Sequence, residues 1–154
     1  MSEQVSLWGG RFSGGPSQAL AALSVSTHFD WRLALYDLAG SRAHARALAG
    51  AGLLDSEELS QMLAALGRLE EKVKSGAFTP DPADEDVHTA LERGLLEEAG
   101  EHLGGKLRAG RSRNDQIATL IRMYLRNQAR ALSERIIEVV EALVSQAKAA
   151  GDTV

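Results

Sequence analysis

The chain has 154 residues, enough for one domain with a substantial buried core. Hydrophobic residues make up 44% and charged residues 25%, an ordinary globular balance, and a formal charge of −4 argues against a surface that tracks nucleic-acid phosphates. There is no cysteine, which excludes disulfides and thiolate metal sites and fits a reducing cytoplasm.

The opening, Met-Ser-Glu-Gln-Val-Ser-Leu-Trp, lacks the basic region and apolar run of a signal peptide, and no stretch approaches the apolar length of a membrane span. The expectation is a cytoplasmic protein. Leu7-Trp8-Gly9-Gly10-Arg11-Phe12, followed by Ser13-Gly14-Gly15-Pro16, reads as an extended, turn-rich arm over residues 1–16, with Trp8 and Phe12 as anchors. A short helix is expected over 17–23, then a polar loop over 24–30.

From 31 to 49, Leu35, Leu38, Ala39 and Leu48 fit a helical face, and Gly50 or Gly52 ends it. Asp55 and Glu58 form a capping-box pattern, with Asp55 as the N-cap. Leu59, Met62, Leu63, Leu66, Leu69 and Val73 then repeat at helical spacing up to a stop at Gly76, and Met62 there is core filler. Thr79-Pro80-Asp81-Pro82 breaks the chain. Asp84-Glu85-Asp86 stands before Val87, Leu91 and Leu95, and Gly100 closes that helix. Acidic residues at a helix start offset the dipole, which suffices to explain them, and the glycine turn and distal glutamate of a calcium loop are missing. His88 and Thr89 sit in the first turn, where a lone histidine reads as a packing residue.

The richest stretch is 104–116, Gly-Gly-Lys-Leu-Arg-Ala-Gly-Arg-Ser-Arg-Asn-Asp-Gln. Ser112, Asn114 and Asp115 favour helix N-termini, where free N–H groups and partial positive charge attract anions. Arg111 and Arg113 add planar forks suited to a carboxylate. On spacing alone, an ordinary capped helix with solvated arginines is the simpler account. Residues 114–150 then run without Gly or Pro, a rod of roughly 55 Å with a wide apolar stripe. Arg122, Arg126 and Arg130 stand a turn apart on its polar face, and Gly151 ends it. No stretch reads as a strand. The expected fold is all-α: a helical N-terminal domain over 1–110, then over 111–154 the first long helix of a bundle.

Three ordered blocks carry a family resemblance. Leu7-Trp8-Gly9-Gly10-Arg11-Phe12, Asp84-Glu85-Asp86-Val87-His88-Thr89-Ala90, and Gly105-Lys106-Leu107 with Gly110-Arg111-Ser112-Arg113-Asn114-Asp115-Gln116 resemble argininosuccinate lyases, within the fumarase and aspartase superfamily. The 30–46 segment, including Ser41-Arg42-Ala43-His44, is similar too. The resemblance implies cleavage of argininosuccinate to arginine and fumarate with no metal or organic cofactor, in a homotetramer whose active sites form where subunits meet. It implies that Ser26 and Asn114 contact substrate, that Arg113 and Ser112 brace or contact its succinate end, and that Asp30 orders the Ser26 loop. His88, Thr89, Arg111 and Asp115 take supporting places, while His28, His44 and His102 match no catalytic position.

The family's Thr-His pair and its late serine base both fall beyond Val154. No catalytic acid or base is therefore expected within this chain, which alone should be inactive. Three alternatives stay open. One is another superfamily lyase, such as one for adenylosuccinate, which would need phosphate contacts. Another is a noncatalytic, crystallin-like role, since the family includes delta crystallins. The last is a helical assembly module whose loop is mere capping.

Overall fold

The computed structural model describes residues 18–151. The arm expected over 1–16, with Trp8 and Phe12, lies outside them. Among the described residues there are helices and turns and no strand, so the fold is all-α.

Helix α1 (Gln18–Ser24) is short, as expected. The loop expected over 24–30 is a loop only at Val25 and Ser26, for the chain turns at once into α2 (Thr27–Asp30). The Ser26 carbonyl explains the correction: it accepts from the N–H groups of Phe29 and Asp30, both at 3.0 Å, and nucleates a turn with no apolar periodicity to announce it. A 3-10 turn (Trp31–Leu33) leads into α3 (Ala34–Gly50).

The buried stripe of α3 also differs from expectation. Leu38 and Leu48 are buried, but Leu35 is 44% exposed and Ala39 faces solvent. Asp37 and Ser41 lie inside instead, beside Ala34, Leu38, Ala45 and Leu48. Two polar residues in core-facing places blur the hydropathy pattern from which a face is read. The helix ends in a Schellman arrangement, Gly52 N–H on Ala49 O and Leu53 N–H on Leu48 O.

Helix α4 (Ser56–Ser75) starts on a complete capping box: Asp55 accepts from Glu57 and Glu58 N–H, and Glu58 accepts from Asp55 N–H at 3.2 Å. Met62, Ala65, Leu66 and Leu69 are its buried face. Helix α5 (Val87–Gly105) packs on it so closely that a Cβ on Gly94 would lie 2.7 Å from both Leu69 and Phe78. The stop expected at Gly100 is a kink rather than an end. Gly100 has φ 78° and ψ 158°, breaking the hydrogen-bond ladder, and the chain then winds one further turn to Gly105. Burial of Leu103 and Leu107 rewards that return.

After a 3-10 turn (Lys106–Arg108), helix α6 (Arg113–Ala150) runs for 38 residues, about 57 Å. Its first turns lie on α3. Leu120 is buried over Gly40, and the Tyr124 ring meets Tyr36 edge-on at 5.9 Å. Residues 125–150 are exposed throughout, including Leu125, Leu132, Ile136, Val140 and Leu143. No described helix is long and apolar enough to cross a membrane.

Candidate functional site: two polar clusters at the root of helix α6

The start of α5 joins three separated segments. Asp86 is its N-cap, accepting from Thr89 N–H at 2.7 Å and from the Thr89 hydroxyl at 2.8 Å. Its other oxygen accepts from Arg113 Nη1 at 2.5 Å, and Arg113 Nη2 reaches Thr89 Oγ1 at 3.3 Å. Burial opposes the charge on Asp86, but the bonds from Thr89 and Arg113 outweigh it and hold the carboxyl below its usual range. On the other side, Ser26 N–H donates to Glu85 O at 2.8 Å, and the Ser26 hydroxyl donates to Asp30 Oδ2 at 2.5 Å. The same Asp30 oxygen accepts from Val87 N–H at 3.3 Å, while Asp30 Oδ1 is buried without a hydrogen bond. The short Ser26 turn and the Arg113 loop are thus both pinned to residues 85–89.

A second cluster lies deeper, around Asp37. This carboxylate, 3% exposed, receives His88 Nδ1–H at 2.5 Å on one oxygen and Arg111 Nη2 at 3.3 Å on the other. Gln116 Nε2 reaches both oxygens, at 3.0 and 2.9 Å, and Ser41 donates at 3.2 Å while accepting from Arg111 Nη1 at 2.9 Å. An ionised Asp37 can only accept, so its 2.5 Å contact with His88 is made by a proton carried on Nδ1. Burial draws the Arg111 guanidinium down, while the Asp37 charge beside it works the other way. A cavity of about 200 Å³ opens beside this cluster, lined by Leu66, Leu91, Leu95 and Leu107 among its apolar walls.

The two clusters share one loop, residues 110–116. Ser112 is the N-cap of α6, accepting from Asn114 N–H at 3.3 Å, and it is exposed. Asn114 and Asp115 are exposed in the first turn of α6, and the Asn114 side chain has no hydrogen-bond partner among the described residues. Of the residues singled out in the sequence, Thr89 and Arg113 meet at Asp86, Ser26 and Asp30 bond its neighbours Glu85 and Val87, and His88 and Arg111 meet at Asp37. His28 and His102 are exposed, and His44 Nε2 lies 3.0 Å from Ala109 O and bonds neither cluster. Asp37, Ser41 and Gln116 had no assigned place in the sequence reading. The one available signal was an aspartate and a serine one turn apart, inside a helix that needs a buried face. No group of three or more His, Asp or Glu among the described residues is arranged to hold a metal ion.

What the arrangement offers is the N-terminus of a long helix, an unengaged amide at Asn114 and a fixed guanidinium at Arg113. Such a set has the chemistry to bind a carboxylate and to stabilise charge that grows on it. Residues 10–154 match the family model described as lyase. The chain belongs to the lyase family. It is 70% identical over 148 residues to an argininosuccinate lyase of Thermobifida fusca, a match covering 96% of this chain and 31% of that protein. It is 64% identical over 153 residues to an argininosuccinate lyase of Leifsonia xyli, covering 99% and 32% of the two chains. A third lyase, from Streptomyces coelicolor and also named argininosuccinate lyase, is 64% identical over 151 residues, 98% of this chain and 32% of the other. The chain spans about a third of the length of the curated relatives it matches.

Proposed function

We propose that this chain is the N-terminal third of an argininosuccinate lyase, supplying the carboxylate-binding part of a site that other segments complete. The reaction is an elimination. A base removes the proton from the carbon next to a succinyl carboxylate, the electron pair forms the double bond of fumarate, and the carbon–nitrogen bond breaks to release arginine. Negative charge accumulates on the carboxylate as the proton leaves, so donors fixed around that group lower the barrier. Asn114 and Arg113 are the assigned substrate contacts at the root of α6, with Ser112 bracing the turn and Ser26 closing from the other side. Asp30 orders the Ser26 turn. Thr89, His88, Arg111 and Asp115 support this frame, and the proton-transferring groups come from outside it.

The observation that carries this reading is the convergence of the Ser26 turn and the Arg113 loop on the start of α5, through Glu85, Val87 and Asp86. A mere cap at α6 would not need the distant Ser26 segment. The exposed apolar stripe of α6 supports its burial against other helices, so that α6 begins a bundle in an oligomer, for which we propose a homotetramer; the family resemblance implies that the complete enzyme is cytoplasmic and needs no cofactor. In the full-length protein, argininosuccinate should yield fumarate, followed by its ultraviolet absorbance. Asn114→Ala should lower kcat by roughly a hundredfold while the protein stays folded, as for loss of one positioned donor. Unchanged turnover would favour the assembly-module reading, and adenylosuccinate as the preferred substrate would redirect the assignment within the superfamily.

A further inference from the structure

We propose that Asp37 is a positioning residue for this reaction, fixing the loop that presents Arg113 and Asn114 by gathering its two ends onto one buried carboxylate. The proposal rests on the lyase reading above and deepens it. Arg111 stands just before the Arg113–Asn114 pair and Gln116 just after, and both side chains turn inward to Asp37. Residues 112–115 between them are therefore held as a short bridge, clamped at both feet. The anchor is itself immobile. Asp37 lies within α3, is 2% exposed, and is backed by Ser41 one turn on and by His88 from α5.

The chemistry of the hub favours rigidity. The carboxylate has several lone-pair positions, and four side chains fill them from three helices and a loop. Its charge is matched by Arg111, so the pair is buried with compensation, and the imidazole needs no charge to donate through Nδ1. Each partner is directional. A shift of the loop by one ångström would break contacts at Asp37, and a shift of that size in a substrate contact costs roughly a hundredfold in rate.

The test uses the full-length enzyme and three variants: Asp37→Asn, Gln116→Leu, and Leu69→Ala as a core control away from the loop. Leu69 is fully buried between α4 and α5 and touches neither cluster's hydrogen bonds. Below the melting temperature of every variant, Asp37→Asn should lose roughly a hundredfold in kcat/KM, and Gln116→Leu roughly tenfold. Leu69→Ala should stay within about twofold of the parent despite comparable destabilisation. Gln116→Leu keeps the Asp37–Arg111 pair, so it decides the matter if Asp37→Asn does not fold. Amide hydrogen exchange over residues 116–120, taken relative to residues 62–69 of α4, should accelerate roughly tenfold in Asp37→Asn and not in Leu69→Ala. Near-parental activity in both hub variants would overturn the proposal, and so would an equal loss in Leu69→Ala. If the parent enzyme fails to cleave argininosuccinate, the functional reading falls. The exchange result then decides alone whether Asp37 holds the loop.

Discussion

Asp86 does two jobs that a pair of substitutions can separate. It caps α5 through Thr89 N–H at 2.7 Å, and it carries the charge that meets Arg113 at 2.5 Å. Asp86→Asn retains a side-chain oxygen for the cap, since asparagine and aspartate cap about equally well. It removes the charge and, with it, the second oxygen that accepts from Arg113. A charge-assisted bond contributes about 1.5–3 kcal/mol, and side-chain exposures of 32% for Arg113 and 26% for Asp86 argue for the lower end. Asp86→Asn should therefore cost about 1.5 kcal/mol at neutral pH. Asp86→Ala adds the lost cap, about 1 kcal/mol more, for about 2.5 kcal/mol in total.

The measurement is a urea midpoint for each variant, repeated down a pH series. Because the folded carboxyl is held below its ordinary range, the unfolded chain takes up the proton first as pH falls. The charge contribution is thus fully present above the unfolded pKa of about 3.9 and is lost as pH drops through the lower folded value. The gap between the parent and Asp86→Asn should shrink below pH of about 4, while the gap between Asn and Ala variants persists. Equal costs for the two variants at neutral pH, or a parent–Asn gap that does not narrow in acid, would refute the division into cap and charge.

Two further outcomes test the packing. Gly94→Ala places a methyl 2.7 Å from Leu69 Cδ1 and from the Phe78 ring, so it should lower stability by about 1–3 kcal/mol in thermal melts, whereas Gly67→Ala, which meets nothing within 4 Å, should not. Leu143→Glu changes a side chain that is 64% exposed, so the head should melt unchanged, while sedimentation of the full-length protein shifts to smaller species. A lowered melting transition of the head with intact assembly would count against the bundle assignment of α6.

What could be read in the sequence was local. The Asp55–Glu58 capping box and the Gly76 stop lie within one turn of what they act upon, so spacing alone reveals them. Ser112 as cap of α6 belongs to the same class. Gly100 was legible as a break but not as a kink, because the helix resumes for the sake of Leu103 and Leu107, whose partners lie elsewhere in the chain. Asp37 was illegible for the same reason on a larger scale. Its counter-charge and its amide come 74 and 79 residues later, and without them a buried aspartate looks like a solvated one. Asp86 read correctly as a helix-start residue and Arg113 as a fork suited to a carboxylate, yet their pairing across 27 residues is a product of the fold.

Helix α6 is also a lever. Its 38 residues contain neither Gly nor Pro, and only the first turns rest on the head, through Leu120 and Tyr124. On a rod of about 57 Å, a tilt of about 10° at the root sweeps the tip through about 10 Å. Read backwards, a grip that confines the tip to an ångström fixes the angle at Arg113 to about one degree. Whatever clasps the far end therefore sets the aim of the guanidinium at the near one, with no moving part between them.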